Sequence, residues 1–385
     1  MKRKSSSKLA SSNYHLGIDA RAVTSQPAGK GRYVLGLLEG WTMLAPADQL
    51  LIFGPPGLLR DPVWPSHWEV IEVPPSLRGS LVIDRLARKR GVETLIAPSN
   101  YSLGVVAKTP TVTIVHDIAV FVVPEARPSL KVRLAERLLL GRCLQRSRKV
   151  MAVSEFTRQE LIHYFHTSPA KIGVAPNAVD HHFQPSRPGQ SAVEARIIKR
   201  YDLPKNFLLF VSTLEPRKNL VRLLEAYEQL PNNILADYPL LLVGRLGWST
   251  TAILAKLQPL LERGLVRQLD YVAGGDLPLL YQLATVVVFP SLYEGFGLPA
   301  LEAMASGTPL LTSNVSALPE VVGEAALLIN PLNTRAILGG LTNLITDQNL
   351  RKRLREKGLQ QAAKFTWLQT AQALRLAVEN LRPQS

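Results

Sequence analysis

Residues 290–302 read Pro290-Ser-Leu-Tyr-Glu-Gly-Phe-Gly-Leu-Pro-Ala-Leu-Glu302. The apolar run 286–289 just before them reads as a buried strand that stops at Pro290. A loop with two glycines, Gly295 and Gly297, follows, and Pro299 opens a helix at its first position, where the missing N–H costs nothing. Strand, glycine turn and helix N-terminus together make a place where backbone can approach a phosphate and a helix dipole can hold it. Two carboxylates mark the unit: Glu294 in the loop and Glu302 in the first helical turn. A spaced carboxylate pair on its own would suit glycoside hydrolysis. Its setting in a nucleotide-type turn argues against that use.

The same grammar recurs along the chain. Residues 14–20 read as a strand ending in Asp19, and Gly29-Lys30-Gly31-Arg32-Tyr33 then leads into a helix over 34–44. This Gly-x-Gly is not the full dinucleotide fingerprint, so nicotinamide binding gains little from it. Two readings stand for the turn: a plain β–α connection, or an anion grip built on Lys30 and Arg32. Further strands fall at 50–53, 68–73, 94–97, 111–115, 150–153 and 172–175, with a helix at 81–90. The strand 111–115 ends at His116-Asp117, which places an imidazole at the carboxyl end of a parallel strand, where such sheets bind ligands. A structural histidine tied to a neighbour is the alternative.

Pro and Gln punctuation at 184–190 marks a domain boundary near 185–190. The second half opens with an apolar strand over 207–212, ending in Ser212. It runs into Thr213-Leu-Glu-Pro-Arg217-Lys218-Asn219, a second β–α turn with two adjacent cations. Strands follow at 240–243, ending at Gly244, then at 269–272, 309–312 and 326–329. Strands alternating with helices in both halves predict two doubly wound α/β domains.

With 385 residues, two domains are expected on size alone. A 46% hydrophobic, 19% charged composition is that of a globular chain, and no apolar run reaches the ~18 residues of a membrane span. Residues 1–12 are basic without an apolar core, which reads as a flexible tail rather than a secretory signal. The single cysteine, Cys143, excludes an intrachain disulfide. The net charge of +15 is uneven: residues 1–185 hold 24 basic and 14 acidic residues, the remainder 21 and 16. Surplus surface arginine accounts for such a balance, and so does an anionic partner: a phosphate-bearing acceptor, anionic lipid or nucleic acid. The helix expected over 129–148 concentrates the charge in Lys131, Arg133, Arg137, Arg142, Arg146 and Arg148, beside leucines on one side. It reads either as a domain helix with a solvated face or as one lying on an anionic membrane.

The string Pro290–Glu302, its continuation to Pro309, and Arg217-Lys218 resemble the retaining, nucleotide-sugar-dependent glycosyltransferases of family 4. Gly17-Ile-Asp-Ala-Arg21, Gly31-Arg32-Tyr33, Val115-His116-Asp117, Val153-Ser-Glu-Phe-Thr157 and Ala175-Pro-Asn177 fit the same family in order. The resemblance spans about residues 14–382 and implies the GT-B fold: two Rossmann-like domains facing across a cleft. Residues 13–187 would be the acceptor domain and 188–367 the donor domain. The last helix, 368–385, would cross back to the first domain after the break at 365–367.

The resemblance also implies roles. Arg217 and Lys218 would neutralise the donor diphosphate. Glu294 would accept hydrogen bonds from sugar hydroxyls, with backbone N–H groups of Gly295, Phe296, Gly297 and Leu298 holding sugar and phosphate. Glu302 would take the ribose diol. His116 would contact the donor sugar from the opposite domain, and Gly29, Lys30, Gly31 and Arg32 would lie near phosphate or acceptor. Ser212 and Gly244 end the donor-side strands. Many members carry Gly-Arg where this chain has Ser212-Thr213, which leaves the diphosphate arginine to Arg217. Asn177-Ala178 likewise stands for the common Asn-Gly.

The implied reaction is hexose transfer with retention, mannose favoured, from GDP-mannose or a UDP-sugar to a glycan or lipid-linked acceptor in surface-polysaccharide assembly. It needs no cofactor, and without an Asp-x-Asp motif no metal is expected. The expected place is the cytoplasm, at the inner face of a membrane where contact is made. A non-catalytic scaffold subunit is the alternative; nucleic-acid binding rests on the charge alone.

Overall fold

The computed structural model describes residues 14–24, 29–58, 64–124, 129–187, 189, 191–269 and 272–381. The basic tail over 1–12 lies outside them. Two wholly parallel sheets organise the chain, as the alternation of elements predicts. The first takes β1 (His15–Asp19), β2 (Gln49–Gly54), β3 (Glu69–Glu72), β4 (Thr94–Ala97), β5 (Thr111–Val115), β6 (Lys149–Ala152) and β7 (Ile172–Val174). Its spatial order is β3-β2-β1-β4-β5-β6-β7. The second takes β8 (Leu208–Val211), β9 (Leu240–Val243), β10 (Val266–Leu269), β11 (Val286–Phe289), β12 (Leu310–Ser313) and β13 (Leu327–Ile329), ordered β10-β9-β8-β11-β12-β13.

Central strands such as β9 (LLLV) and β11 (VVVF) are buried on both faces, because helices cover both sides of a parallel sheet. Each sheet reverses its order once, between β1 and β4 and between β8 and β11. Ligands of open α/β sheets bind outside the strand ends at such a reversal. β1 ends at Asp19 and β11 at Phe289, so the stretch 290–297 leaves the second sheet at its reversal point.

Several boundaries differ from expectation. The first helix is Gly29–Leu44, so Gly29, Lys30, Gly31 and Arg32 form its first turn rather than a loop before it. Edge strand β10 is Val266–Leu269, three residues earlier than read, and residues 270 and 271 of the expected strand lie outside the described residues. Val266-Arg-Gln-Leu269 pairs with Leu240–Val243 on one side only, so polar residues are tolerated there and the apolar signal is weak. Helix Leu130–Arg146 does not turn its leucines inward as a stripe. It buries Leu140, Cys143 and Leu144, whereas Leu134 and Leu138 are 56% and 51% exposed.

The last helix, Trp367–Glu379, packs on helix Gly29–Leu44 of the first domain. Two glycines one turn apart make the approach possible. A Cβ on Gly36 would lie 1.9 Å from the Trp367 ring, and one on Gly40 would lie 2.1 Å from the Trp367 carbonyl oxygen. A Thr366–Gln369 capping box starts the helix, and Thr370 Oγ1 donates to Pro176 O at 2.6 Å. Because the Gly40 contact is with backbone, the clash cannot be relieved by a rotamer change. Gly40→Ala is expected to cost about 1–3 kcal/mol of overpacking, read as a lowered urea midpoint; an unchanged midpoint would show that the two helices part without penalty.

Candidate functional site

Pro216 opens a 3-10 turn, Pro216–Lys218, separated from the end of β8 at Val211 by residues 212–215. Asn219 follows in the left-handed region at φ 62° and holds the turn in place. Its Nδ2 donates to Pro290 O at 3.0 Å and to Pro331 O at 2.7 Å. Leu292 N–H donates to Arg217 O at 2.9 Å, so the cationic turn and the 290–297 loop are stitched together. The ends of β8 and β9 are equally close: a Cβ on Gly244 (φ 140°) would lie 1.9 Å from Ser212 O.

The expectation put Glu294 on a sugar and Arg217-Lys218 on a diphosphate. The structure joins all three directly. Glu294 Oε1 accepts from Lys218 Nζ at 2.6 Å and from Ser291 Oγ at 2.7 Å, and Oε2 accepts from Arg217 Nη1 at 3.2 Å. Arg217 Nε donates to Glu215 Oε1 at 3.0 Å, and Trp248 Nε1 donates to Glu215 Oε2 at 3.1 Å. Burial disfavours the Glu294 charge, but Lys218 and Arg217 outweigh it and hold the carboxyl below its ordinary range. Burial draws Lys218 down from the ordinary lysine value even though Glu294 opposes it. Glu294 and Lys218 are both buried, so neither charge has water as a substitute partner.

Glu302 is placed otherwise than expected. The helix is Leu298–Ala305, which puts Pro299 second and Glu302 in the second turn, not the first. Gly297 caps it at φ 105°. Glu302 is buried and its Oε2 accepts from Tyr281 Oη at 2.8 Å. Arg32 Nη2 reaches across from the first domain to Glu302 Oε1 at 2.6 Å. Arg32 is thus the partner of a carboxylate, not an open anion grip; Lys30 and Gly29 are exposed beside it. Glu302 raises the Arg32 guanidinium further above its already high ordinary value.

His116 follows β5, and its Nε2 lies 2.6 Å from Pro98 O, a geometry in which Nε2–H donates. The Tyr33 ring stands edge-on at 5.0 Å. Burial, with Lys30 assisting, lowers its pKa to about 4, so the ring is neutral at neutral pH. The histidine is therefore both tied to a neighbour and set at the strand end.

The loop of the second domain is closed by the first. A Cβ on Gly295 would lie 1.8 Å from His116 O, so only glycine fits. Gly295 O accepts from Ser154 Oγ at 2.6 Å and Thr157 Oγ1 at 3.1 Å. Glu320 accepts from the N–H groups of Glu155 and Phe156 at 2.8 and 3.0 Å, capping helix Glu155–Phe165 from the opposite domain. Tyr293 Oη donates to Glu160 and accepts from Ile118 N–H at 3.3 Å. Phe296 is buried, edge-on to Phe365 at 5.5 Å, so it serves the core.

Ser154 stands in the sequence within the Val153–Thr157 motif, whereas nothing in the sequence singles out Glu215, Trp248, Tyr281 or Glu160, nor, on its own, Glu320. Glu320, just after Leu318-Pro319 at a helix start, was the one with a local signal. Among the described residues, the group with metal-ligand proximity is Asp180, His181 and His182, and none of these belongs to the Glu294 network.

Two family profiles tile the chain: "Glycosyltransferase Family 4" over residues 32–183 and "Glycosyl transferases group 1" over residues 194–361. The chain belongs to the family 4 glycosyltransferases. It is 37% identical over 257 residues to O-antigen chain mannosyltransferase B of Escherichia coli, an alignment covering 66% of each protein. It is 34% identical over 238 residues to the serotype-specific mannosyltransferase WbdA of Escherichia coli, covering 61% of this chain and 29% of that one. The chain thus spans just under two thirds of the first relative and under a third of the second. The solved sucrose-phosphate synthase of Thermosynechococcus elongatus superposes with a TM-score of 0.76 at 20% identity, covering 96% of this chain and 99% of that one. The architecture is accordingly GT-B.

Two outcomes test the electrostatics of this family 4 site. Glu294→Gln leaves Lys218 buried without a counter-charge and is expected to cost about 3–5 kcal/mol, measured by urea unfolding; an unchanged midpoint would show that the pair is not structural. Burial pushes Glu160 up to about 7 against the Tyr293 hydrogen bond, from an ordinary value of 4.5. Its contribution to stability is then full below pH 4.5 and lost as pH rises through about 7. Glu160→Gln should flatten that part of the pH–stability profile, and a parallel profile would count against the shift.

Proposed function

We propose that this chain transfers a mannosyl residue from a nucleotide sugar, GDP-mannose before a UDP-sugar, to a hydroxyl of a glycan or lipid-linked acceptor in surface-polysaccharide assembly. The observation that carries the reading is the Arg217–Lys218–Glu294 cluster at the reversal point of one sheet, on a loop whose Gly295 lies against the His116 carbonyl at the end of a strand of the other. The two mannosyltransferases that share a third or more of their aligned residues with this chain support the sugar.

In this reading the donor diphosphate approaches Arg217 and Lys218, which then share their charge between Glu294 and the phosphates. As the glycosidic bond breaks, the leaving diphosphate gains charge and those contacts strengthen, lowering the barrier. Glu294 accepts from sugar hydroxyls, and backbone N–H groups around Gly295–Leu298 hold the sugar and phosphate, the space beside Gly295 being taken by the His116 carbonyl rather than by the sugar. The acceptor attacks on the face the diphosphate leaves, with retention, and the leaving phosphate takes the proton. His116, neutral at working pH, presents a dipole rather than a charge near the developing oxocarbenium. Ribose can engage Glu302 once Arg32 releases it. Two lysine-arginine cations take the place of a metal.

Among the described residues no helix is long and apolar enough to cross a membrane. Helix Leu130–Arg146 exposes Leu130, Val132, Leu134 and Leu138 among Lys131, Arg133 and Arg137. Apolar and basic side chains mixed on one open surface suit peripheral contact with an anionic leaflet, which would bring the enzyme to lipid-linked acceptors at the cytoplasmic face.

A thermal-shift panel of GDP- and UDP-sugars selects the donor, since a ligand at 100-fold its Kd stabilises by about 2.7 kcal/mol. Release of free nucleotide from that donor should persist in EDTA and fall about 100-fold or more in Glu294→Ala. Activity lost in EDTA and restored by a divalent ion would overturn the metal-free reading. No nucleotide release from any common donor would overturn the enzyme.

A further inference from the structure

We propose that a cavity between the domains, walled by Asp117, Glu136, Glu215, Arg217 and Trp248, seats the terminal sugar of the acceptor, and that this sugar is an uncharged pyranose. The proposal deepens the glycosyl-transfer reading above and rests on it.

The cavity measures about 470 Å³ and includes Ala119 and Val120 in its wall. That size lies in the ~300–1,000 Å³ range of small-molecule sites. Its walls come from both halves of the chain. Asp117, Ala119 and Val120 follow β5, and Glu136 comes from helix Leu130–Arg146. Glu215 and Arg217 follow β8, and Trp248 follows β9. It therefore opens where the carboxyl ends of the two sheets meet.

Trp248 is 41% exposed, yet its indole N–H is anchored on Glu215. With its polar edge held on Glu215, the ring presents an apolar face to whatever enters the cavity it lines. A pyranose fits this chemistry. Its C–H face is apolar and its rim carries hydroxyl donors, so an indole with flanking carboxylates satisfies both at once. Hydroxyls donating to carboxylates form charge-assisted bonds, stronger than neutral ones.

The charge of the wall selects the kind of sugar. Three carboxylates face one guanidinium, and that guanidinium is already held by Glu215 and Glu294. A uronate or phosphorylated sugar would enter a field of its own sign. The cavity is lined by Glu215 and not by Glu294 or Lys218, so a diphosphate held on Lys218 and the Glu294 side of Arg217 leaves this space to the acceptor. Arg217 is shared between the cavity wall and the Glu294 cluster. A hydroxyl bound here would stand beside the leaving group, as attack from the departing face requires.

The test uses the full chain with its selected donor and a set of octyl glycosides: mannoside, glucoside, galactoside, N-acetylglucosaminide and glucuronide. Wild type should transfer to at least one uncharged glycoside and not to the glucuronide. Trp248→Ala should raise the acceptor KM about tenfold, with Trp248→Phe recovering most of the loss. The change in donor Kd, by calorimetry, should be smaller than the change in acceptor KM in both. Glu136→Lys should admit the glucuronide. A flat acceptor KM in Trp248→Ala, equal use of glucuronide by wild type, or transfer to none of the uncharged glycosides overturns the subsite while donor binding stands. Absence of any donor binding in wild type removes the transfer reading itself.

Discussion

One missing side chain holds the two domains in register. Gly295 lies so close to the His116 carbonyl that any Cβ would overlap it. The neighbouring contacts follow from that approach. Ser154 and Thr157 can reach the Gly295 carbonyl, Tyr293 can reach Glu160, and Glu320 can cap a helix it does not share a domain with. Arg32 then lies within ion-pair distance of Glu302. The loop that leaves β11 is built by the second sheet and completed by the first.

Charge within the loop is arranged in alternation. Trp248, Glu215, Arg217, Glu294 and Lys218 form a chain of hydrogen bonds in which each cation is matched by a carboxylate. Buried charges of one sign would be costly, so the carboxylates hold the cations in place. Glu294 is therefore a structural counter-ion and, in the proposed transfer, the group next to the chemistry, so its removal would act on folding and on that reaction together and the two need separate measurements.

Much of the architecture was legible because parallel α/β folds write themselves locally. Strands such as Val286–Phe289 are apolar on both faces, and their turns carry Gly, Pro and Asn at readable places. The Arg217-Lys218 and Glu294 motif was legible for the same reason: each lies at a strand end. What could not be read was anything set by distance across the cleft. Nothing near Glu302 in sequence announces Arg32 as its partner, and nothing near Gly295 announces His116. β10 was misplaced because an edge strand with one covered face needs few apolar residues. The leucines on one side of helix Leu130–Arg146 left open whether that side faces the core or a membrane, since periodicity does not say which face has a neighbour, and Leu134 and Leu138 stand outside.

The helix Trp367–Glu379 has a consequence for how the chain is made. Asp48, buried in the first domain, accepts from Tyr14 N–H at 3.0 Å and Trp41 Nε1 at 3.1 Å, and pairs with Arg375 at 3.4 Å. Trp367 covers Gly36 and Gly40 of the same domain. Synthesis from the amino end delivers the second sheet with all its strands before either of these late residues leaves the ribosome. The first domain to be translated is thus the last to be finished, because until residue 367 emerges the Gly36 and Gly40 side of its first helix lacks the packing that Trp367 gives it.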